Sequence, residues 1–392
     1  MQQVYLRSDM VILGAGIIGM VTAIALSNRG IKTTIIEKRT RDELVLSKDE
    51  RNIAITKTTE KWLRLNNIWD DLVQFSAKVN DIYVIDDEDE SSMIHLHQSN
   101  KSSQELGHMI LNHDLIRVIF NKIEEDANIT LILNSNYTDI EAKDTHNFVY
   151  LDNSKTIQAS WVLACDGKFS KVKKKYCRYQ VQKNYHQSAL VFQLKHQKSH
   201  EGTAVEHFTN SGVFAILPTK DQFISSVVWI ENTEIAQLLN SMSAVEFTHY
   251  ALQKFGLFLG QLTLNSQIIS YPLTAELVEN YFYKKIIFLG DSAHSIHPLA
   301  GQGLNQGIKD VIDLVELISG KYFVGCDLLE SDLKIYQQRR ALDNFIMFTA
   351  CDFIEKIFQN KISASSVLRK MAMKLVNKSS WIKDKILNFG TK

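Results

Sequence analysis

Gly14-Ala15-Gly16-Ile17-Ile18-Gly19 separates a short apolar run at residues 9–13 from a run of small and apolar residues at 17–28. A second short apolar run, residues 33–37, follows. The order of these runs predicts a strand, a helix and a second strand. Two strands joined through a helix are usually parallel, so the sequence predicts a doubly wound α/β sheet.

The glycines of this stretch predict a dinucleotide site. Gly14 permits a tight turn, Gly16 lets a pyrophosphate approach the backbone, and Gly19 lets the helix pack against the sheet. The phosphates would then lie at the positive end of the helix dipole. Glu37 ends the second strand, where its carboxylate can accept hydrogen bonds from an adenosine ribose, and Lys38 beside it belongs to the same predicted site. A glycine-rich turn without a ligand is the alternative interpretation.

A second glycine-rich region lies far along the chain. Gly290-Asp291 follows the apolar run 286–289, and residues 298–305 read Pro-Leu-Ala-Gly-Gln-Gly-Leu-Asn. A carboxylate at the end of a strand can hold a ribityl hydroxyl. A helix that begins at Gly303 can place its positive end against a ring that carries negative charge, as reduced flavin does. Each half alone is compatible with an ordinary helix start, but the two together favour an isoalloxazine ring.

A third motif, Asp166-Gly167, predicts only a strand-to-turn junction when it is taken alone. In order and spacing, however, the three motifs resemble the fingerprints of single-component flavoprotein monooxygenases, which have the para-hydroxybenzoate hydroxylase fold. More narrowly, the chain resembles the ubiquinone-biosynthesis hydroxylase family, which hydroxylates polyprenyl phenols. The stretches that carry this resemblance are 49–54, 187–191, 202–208, 215–218 and 297–305. It runs from about Val11 to the C-terminal helices.

The resemblance implies FAD as the cofactor and roles for individual residues. Arg51 and Asn112 would lie along the FAD, and Asp291 would bind its ribityl–pyrophosphate region. Pro298 would lie beside the ring. The start of the following helix would face the pyrimidine edge through Gly301, Gly303, Leu304 and Asn305. Asp166 and Gly290 complete the predicted cofactor site.

Two positions depart from the family pattern. Lys173 stands where the Asp-Gly element usually ends in Arg, which leaves the contact with nicotinamide undefined. Val213 replaces a frequent Pro after Gly212, a change that we expect to be harmless. Because only one dinucleotide motif is visible, NAD(P)H is expected to bind transiently, without a Rossmann domain of its own.

The resemblance also implies the reaction. NAD(P)H would reduce the flavin, O2 would add at flavin C4a, and one oxygen atom would pass to the aromatic ring of a polyprenyl phenol. No nucleophile triad, metal cluster or carboxylate pair is predicted, which is consistent with a cofactor that carries the difficult step. No catalytic residue or general base is assigned. His294 and His297 are expected to hold structure rather than to move protons.

Two other functions stay open at this point. A different FAD enzyme of the same fold, such as a prenyl reductase or an epoxidase, would keep the same motifs. A flavin-fold scaffold of a quinone-biosynthesis complex would keep the fold without the chemistry. A phenol that accelerates NAD(P)H oxidation and gains a hydroxyl would distinguish a hydroxylase from both.

The order of elements indicates an α/β fold in which a Rossmann-like FAD-binding domain is interleaved with a mostly antiparallel β-sheet substrate domain, followed by C-terminal helices. Successive strands are predicted at 189–194, 203–208, 213–217 and 223–230. The FAD-binding domain is assigned to 1–78, 104–182 and 272–340, the substrate-binding domain to 79–103 and 183–271, and an amphipathic helical region to 341–392.

The composition is that of a globular protein with an uneven charge distribution. Hydrophobic residues make up 45% and charged residues 22%, which excludes wholesale disorder. Bases and acids number 44 each, so no nucleic acid partner is expected. Residues 355–392, however, carry nine bases and two acids, a net charge of +7, among apolar residues at helix-like spacing. Such a tail could lie on an anionic membrane surface or pack on the protein with its lysines solvated.

The four cysteines form no CxxC pair and no zinc-like spacing, which predicts a reducing compartment and no structural metal. No stretch reaches the roughly 18 uninterrupted apolar residues that a membrane span needs. We therefore expect a cytoplasmic protein, with a peripheral position on the inner face of the membrane as one interpretation of the tail. Other quinone-biosynthesis proteins are further candidate partners.

Overall fold

The computed structural model describes residues 4–47, 49–86, 93–97, 105–209, 211–256, 258–297 and 301–359. The strands in these ranges are β1 Val4–Leu13, β2 Thr33–Ile36, β3 Asn52–Thr56, β4 Ala77–Val79, β5 Asp81–Asp86, β6 Ile94–Leu96, β7 Gly107–Leu111, β8 Ile129–Ile132, β9 Tyr137–Ala142, β10 Asn147–Leu151, β11 Thr156–Ala164, β12 Tyr179–His196, β13 Thr203–Phe208, β14 Val213–Pro218, β15 Ile224–Asn232, β16 Leu262–Leu264, β17 Ile269–Val278, β18 Phe282–Tyr283, β19 Ile286–Phe288 and β20 His294–Ser295. The helices are α1 Ile17–Ser27, α2 Arg41–Val45, α3 Lys57–Leu65, α4 Trp69–Leu72, α5 Asn112–Glu124, α6 Lys171–Tyr176, α7 Thr233–Asn240, α8 Ala244–Phe255, α9 Gly303–Tyr322 and α10 Glu330–Gln359.

The first sheet is mostly parallel and is built around the βαβ unit. β1 lies between β2 and β11, and β8 and β19 extend the parallel order on the two sides. β9 and β10 form an antiparallel ribbon beside β11. Every residue of β2 is buried, as is typical of a parallel strand that is covered on both faces. The apolar sides of α1, α5 and α9 share one core with this sheet.

The second sheet is mostly antiparallel and has the order β20-β17-β12-β15-β14-β13-β5-β6, with β16 beside β12. Among the described strands of this sheet, only β13 and β5 pair in parallel. Helices α7 and α8 cover one face, and α10 packs against part of the other. The interleaved α/β fold and the four strands predicted between 189 and 230 are confirmed.

A third, small sheet lies where the two large sheets meet. Its order is β3-β7-β4, with both pairs antiparallel. Ala54 of β3 packs in the same apolar cluster as Ala204 of β13 and Leu217 of β14. This small sheet therefore connects the parallel sheet to one face of the antiparallel sheet.

The assigned domain boundaries fall inside continuous elements. The boundary at 182/183 lies within β12, that at 271/272 lies within β17, and that at 340/341 lies within α10. A strand or helix that continues from one region into the next has no change in composition at the boundary, so the division into domains stays a prediction. Residues 360–392, most of the basic tail, lie outside the described residues. No helix within the described ranges is long and apolar enough to cross a membrane.

Candidate cofactor site

The turn between β1 and α1 has the geometry that its glycines predict. Gly14 has φ +95°, and its amide donates to the carbonyl of Ile36 at 2.8 Å. A Cβ on Gly19 would lie 2.0 Å from the carbonyl oxygen of Gly14, so only glycine lets α1 approach the turn this closely. A Cβ on Gly16 would meet nothing within 4 Å. The start of α1 therefore borders open space.

The carboxylate of Glu37 lies against this turn. It accepts a hydrogen bond from the amide of Ala15 at 2.7 Å and is paired with Arg39 at 2.9 Å. Burial alone would raise the pKa of Glu37, but the hydrogen bonds and charge of Arg39 and the Ala15 amide outweigh it and lower the pKa. Glu37 is thus ionised and held at the end of β2. Lys38 beside it is exposed, and the sequence reasoning missed Arg39.

The two glycine-rich regions meet at Ile18. A Cβ on Gly290 would lie 3.1 Å from Ile18 Cγ1, and one on Gly307 of α9 would lie 2.6 Å from Ile18 Cδ1. The start of α1, the turn after β19 and the first turns of α9 are therefore packed against one another. This contact places the two helix starts, at Gly16 and Gly303, on the same region of the molecule.

A buried ionic network holds the turn after β19. Asp310 of α9 accepts hydrogen bonds from the Gly290 amide at 2.8 Å, from His294 Nε2 at 2.5 Å and from Arg340 Nε at 2.7 Å. Burial opposes ionisation of Asp310, but His294 and Arg340 outweigh it and lower its pKa. His294 is thereby held within this buried network, which favours the expected structural role. Neither Asp310 nor Arg340 was identified from the sequence, because no local pattern links α9 to α10.

Arg51 and Asn112 converge on Asp49. Arg51 Nη2 lies 2.5 Å from one carboxylate oxygen of Asp49, and Asn112 Nδ2 donates to the same oxygen at 2.7 Å. The hydrogen bonds to Asp49 raise the pKa of Arg51, and the charge of Asp291 contributes in the same direction. The guanidinium lies over the ring of Tyr271 on β17, 5.4 Å from its centroid. Arg51 is thereby placed between the small sheet, Asp291 and the antiparallel sheet.

The start of α9 is anchored through Asn305. The side chain of Asn305 is fully buried; its Oδ1 accepts from Thr59 Oγ1 at 2.8 Å, and its Nδ2 donates to the Ala54 carbonyl at 2.9 Å. Gly301 has φ +60° and lies against Ala54. These contacts fix the first turn of α9 on β3. Pro298, which is expected beside the flavin ring, lies outside the described residues.

A scan of known families matches residues 7–334 to the family described as "FAD binding domain". The chain belongs to the FAD-binding domain family. Curated proteins that are similar in sequence include ubiquinone hydroxylase UbiL of Rhodospirillum rubrum, which is 29% identical, with 96% of this chain and 87% of the relative covered. The 3-demethoxyubiquinol 3-hydroxylase of Escherichia coli is 25% identical over 98% of both chains.

Solved structures with the same fold include p-nitrophenol 4-monooxygenase PnpA from Pseudomonas putida, with a TM-score of 0.81 and 16% identity over 98% of this chain and 99% of that one. PqsL from Pseudomonas aeruginosa, described as a probable FAD-dependent monooxygenase, has a TM-score of 0.77 and 17% identity over 95% of this chain and 100% of that one. At this identity the likeness is one of fold. It matches the fold class that the sequence predicts.

The residues present fit the cofactor of the FAD-binding domain family. Among the described residues no side chain caps the start of α1 or of α9, so their first amides remain available to an anion. A Cβ on Gly16 or on Gly303 would meet nothing within 4 Å, so both starts have room for a ligand. Two such starts joined through Ile18 suit a molecule with a diphosphate at one end and a polar ring at the other.

Asp166 of the Asp-Gly motif, and Lys173 in the helix that follows it, both bind other side chains of the protein. Asp166 accepts a hydrogen bond from the Tyr137 hydroxyl, and burial raises its pKa. Lys173 is buried, pairs with Glu276 of β17 at 2.7 Å and donates to the Lys168 carbonyl at 2.8 Å. Lys173 therefore joins α6 to the antiparallel sheet.

His297 is buried at the edge of the same region. Its ring packs edge-on against Tyr185 of β12, with centroids 4.7 Å apart. Burial, with the charge of Lys183, lowers the pKa of His297 to about 4. The imidazole is therefore neutral at physiological pH, which favours a packing role over proton transfer.

Proposed function

We propose that this protein is an FAD-dependent monooxygenase that uses NAD(P)H and O2 to hydroxylate the aromatic ring of a polyprenyl phenol in ubiquinone biosynthesis. The observation that carries the proposal is the contact of two uncapped helix starts at Ile18 in a chain of the FAD-binding domain family. Relatives that are named as ubiquinone hydroxylases or as a 3-demethoxyubiquinol 3-hydroxylase match the chain over nearly its whole length and support the substrate class.

The residues at the two helix starts divide the binding of FAD between them. The amides at Gly16 would receive the diphosphate, and Glu37 would receive the adenosine ribose. Arg51, Asn112 and Asp291 would lie along the ribityl and diphosphate region. The turn from Gly301 to Asn305 would hold the ring, with the positive end of α9 facing its pyrimidine edge through Gly303 and Leu304.

Bound flavin supplies the transfer of electrons from NAD(P)H to O2 and the delivery of oxygen to the ring. The protein contributes position and the exclusion of water. Face B, defined as the face of the antiparallel sheet opposite α7 and α8, packs against β3 and α10. In this position it would shield the ring end of the site from solvent. Its apolar side chains suit an aromatic ring with an alkyl tail.

The test uses purified full-length protein and a short-chain 2-prenylphenol. We expect the protein to carry FAD absorbance, to oxidise NAD(P)H faster when the phenol is added, and to yield a product heavier by one oxygen atom, measured by mass spectrometry. Deletion of the gene should lead to accumulation of a quinone precursor that lacks one hydroxyl. Protein that takes up no flavin contradicts the proposal, and so does reduction that no phenol accelerates.

The basic tail supports a peripheral position on an anionic membrane. The described part of α10 already carries exposed apolar side chains, namely Leu342, Phe345, Ile346, Phe353 and Ile354. The next 33 residues add eight bases and one acid. We therefore propose that the protein reaches its polyprenyl substrate at the membrane surface, where it also meets other quinone-biosynthesis proteins.

Flotation with phosphatidylglycerol vesicles tests this position. The full chain should float with the vesicles at low salt and detach as salt rises, because electrostatic attraction of the tail is screened. A chain that ends at residue 359 should bind less. Truncation near residue 344 is unsuitable as a control because Met347 and Cys351 are buried in the core. Equal binding of the two chains at low salt would contradict the membrane role.

A further inference from the structure

Face B carries one acidic side chain in the middle of an apolar row. The row crosses four strands and consists of Val84, Glu206, Ala215 and Val228, which are neighbours in the pairing register. Because side chains alternate along a strand, Val205 next to Glu206 points to the opposite face, where it is buried beneath α7 and α8. Glu206 therefore points toward the side of the sheet that meets the cofactor region.

The neighbours of Glu206 on β13 contact β3 on one side and α10 on the other. Two residues before it, Ala204 packs in the cluster that contains Ala54, the residue in contact with Gly301 and Asn305. Two residues after it, Phe208 stacks on Phe358 of α10 with ring centroids 3.9 Å apart. Burial raises the pKa of the Cys351 thiol on α10, and the charge of Glu206 contributes in the same direction. Glu206 thus lies between the ring end of the cofactor site and α10.

The row is less completely covered than the opposite face of the same strands. Glu206, Ala215 and Val228 each keep part of their surface accessible, whereas Val205, Phe214 and Val227 on the other face are buried. Glu206 is nevertheless surrounded by protein, and burial raises its pKa to about 7. Part of the Glu206 side chain is thus accessible although protein surrounds it. The other members of the row, Val84, Ala215 and Val228, are apolar and only partly buried.

Among the described residues Glu206 makes no hydrogen bond or ion pair. An acid in such a position is costly unless a ligand supplies its partner. An aromatic ring with one hydroxyl is complementary to this row, because the ring can pack on the accessible parts of Ala215 and Val228 while the hydroxyl reaches Glu206.

We propose that Glu206 is the catalytic base that receives the proton of the substrate's phenolic hydroxyl. This inference rests on the proposed function. The phenolic O–H bond breaks, its proton passes to a carboxylate oxygen of Glu206, and the electron pair left on oxygen is delocalised into the ring. Electron density rises at the ortho and para carbons, one of which would take one oxygen atom of O2, while the other oxygen atom leaves as water with the two electrons that NAD(P)H supplies. That carbon loses its hydrogen as a proton, and Glu206 returns its own proton to the phenolate oxygen.

The principal test compares wild type with Glu206→Gln, which keeps the size of the side chain and removes the base. With 2-prenylphenol as the probe, we expect the rate of product formation in Glu206→Gln to fall about 100-fold or more, the usual contribution of a general base. Flavin content and melting temperature should match wild type or exceed it, because a buried ionisable group has been neutralised. Glu234→Gln is the matched control, since Glu234 is exposed on α7, beyond the opposite face.

The pH profile gives a second readout that a structural role would not produce. In wild type, kcat/KM should rise with pH through about 7 as Glu206 loses its proton. This rise of kcat/KM with pH should be absent from Glu206→Gln. Glu206→Asp should retain it, with a lower kcat/KM throughout. Among the described residues, the other titratable groups on elements packed against this face include Asp86, Tyr185, His297, Cys351, Asp352, Glu355, Lys356 and Lys183, and both lysines pair with Asp352.

The outcomes separate the inference from the proposed function. Wild type that hydroxylates the probe, together with Glu206→Gln that does so at a similar rate or keeps the rise of kcat/KM with pH, overturns the assignment of Glu206 alone. Wild type that reduces its flavin but hydroxylates no phenol overturns both. A slow Glu206→Gln with normal flavin content and no rise of kcat/KM with pH, beside an unaffected Glu234→Gln, supports Glu206 as the base.

Discussion

Gly19→Ala is expected to yield protein that is less stable than wild type and is purified without flavin. The added methyl group would lie 2.0 Å from the Gly14 carbonyl oxygen, a backbone atom that cannot rotate away. Relief requires α1 to move off the turn, and overpacking of this kind costs about 1–3 kcal/mol or more. The shift also displaces Ile18, so the turn after β19 and the start of α9 lose their common contact. The measurements are the ratio of flavin to protein absorbance and the melting temperature.

Two other glycines provide matched controls. Gly320→Ala places its methyl group in open space on helix α9, so it should keep the flavin and raise the melting temperature slightly. Gly16→Ala also has open space, but that space is where the diphosphate is proposed to lie, so this variant should fold and bind FAD weakly. If Gly19→Ala retained its flavin and had the melting temperature of wild type, the close approach of α1 to the turn would not matter for the site.

Asp310→Asn should cause the largest loss of stability among the polar substitutions of this site. The buried guanidinium of Arg340 would lose its counter-charge, and breaking a buried ion pair from one side costs about 3–5 kcal/mol. The Gly290 amide would also be held less firmly, so FAD affinity should fall. Thermal unfolding followed by flavin fluorescence, with FAD titration of the apoprotein, measures both effects.

Acid should reproduce part of this loss in wild type. The pKa of Asp310 is lowered in the folded state, so its stabilisation is complete above its ordinary value of 3.8 and is lost as pH falls below that value toward the folded pKa. Asp310→Asn should lack this component of the pH dependence. Asp310→Asn combined with Arg340→Met should melt higher than Asp310→Asn alone, because no uncompensated charge remains. Asp144 is exposed, so Asp144→Asn should leave the stability unchanged and serves as the control. If Asp310→Asn were as stable as Asp144→Asn, the network would have no role in stability.

The sequence predicts the parts of the site that depend on local pattern. The turn at Gly14, the packing of Gly19 and the placement of Glu37 follow from spacing along one βαβ unit, and the structure has this geometry. The Asp310–Arg340 pair joins two helices whose sequences reveal nothing of their approach. Asp49, which orients Arg51 and Asn112, was visible only as part of a matching stretch. Glu206 carried a usable signal, an acidic residue between the apolar residues Ala204 and Phe208 on the same side of a predicted strand, but the register was needed to show which face of the sheet that side occupies.

The alternation of side chains on β13, β14 and β15 separates two kinds of evolutionary constraint. Val205, Phe214 and Val227 are sealed beneath α7 and α8 and carry the stability of the sheet. Ala215 and Val228, on the accessible face, can change in size with little effect on that packing. Descendants of one ancestral enzyme could therefore come to accept differently substituted rings through point changes on alternate residues, and directed evolution of new specificity should concentrate its libraries there.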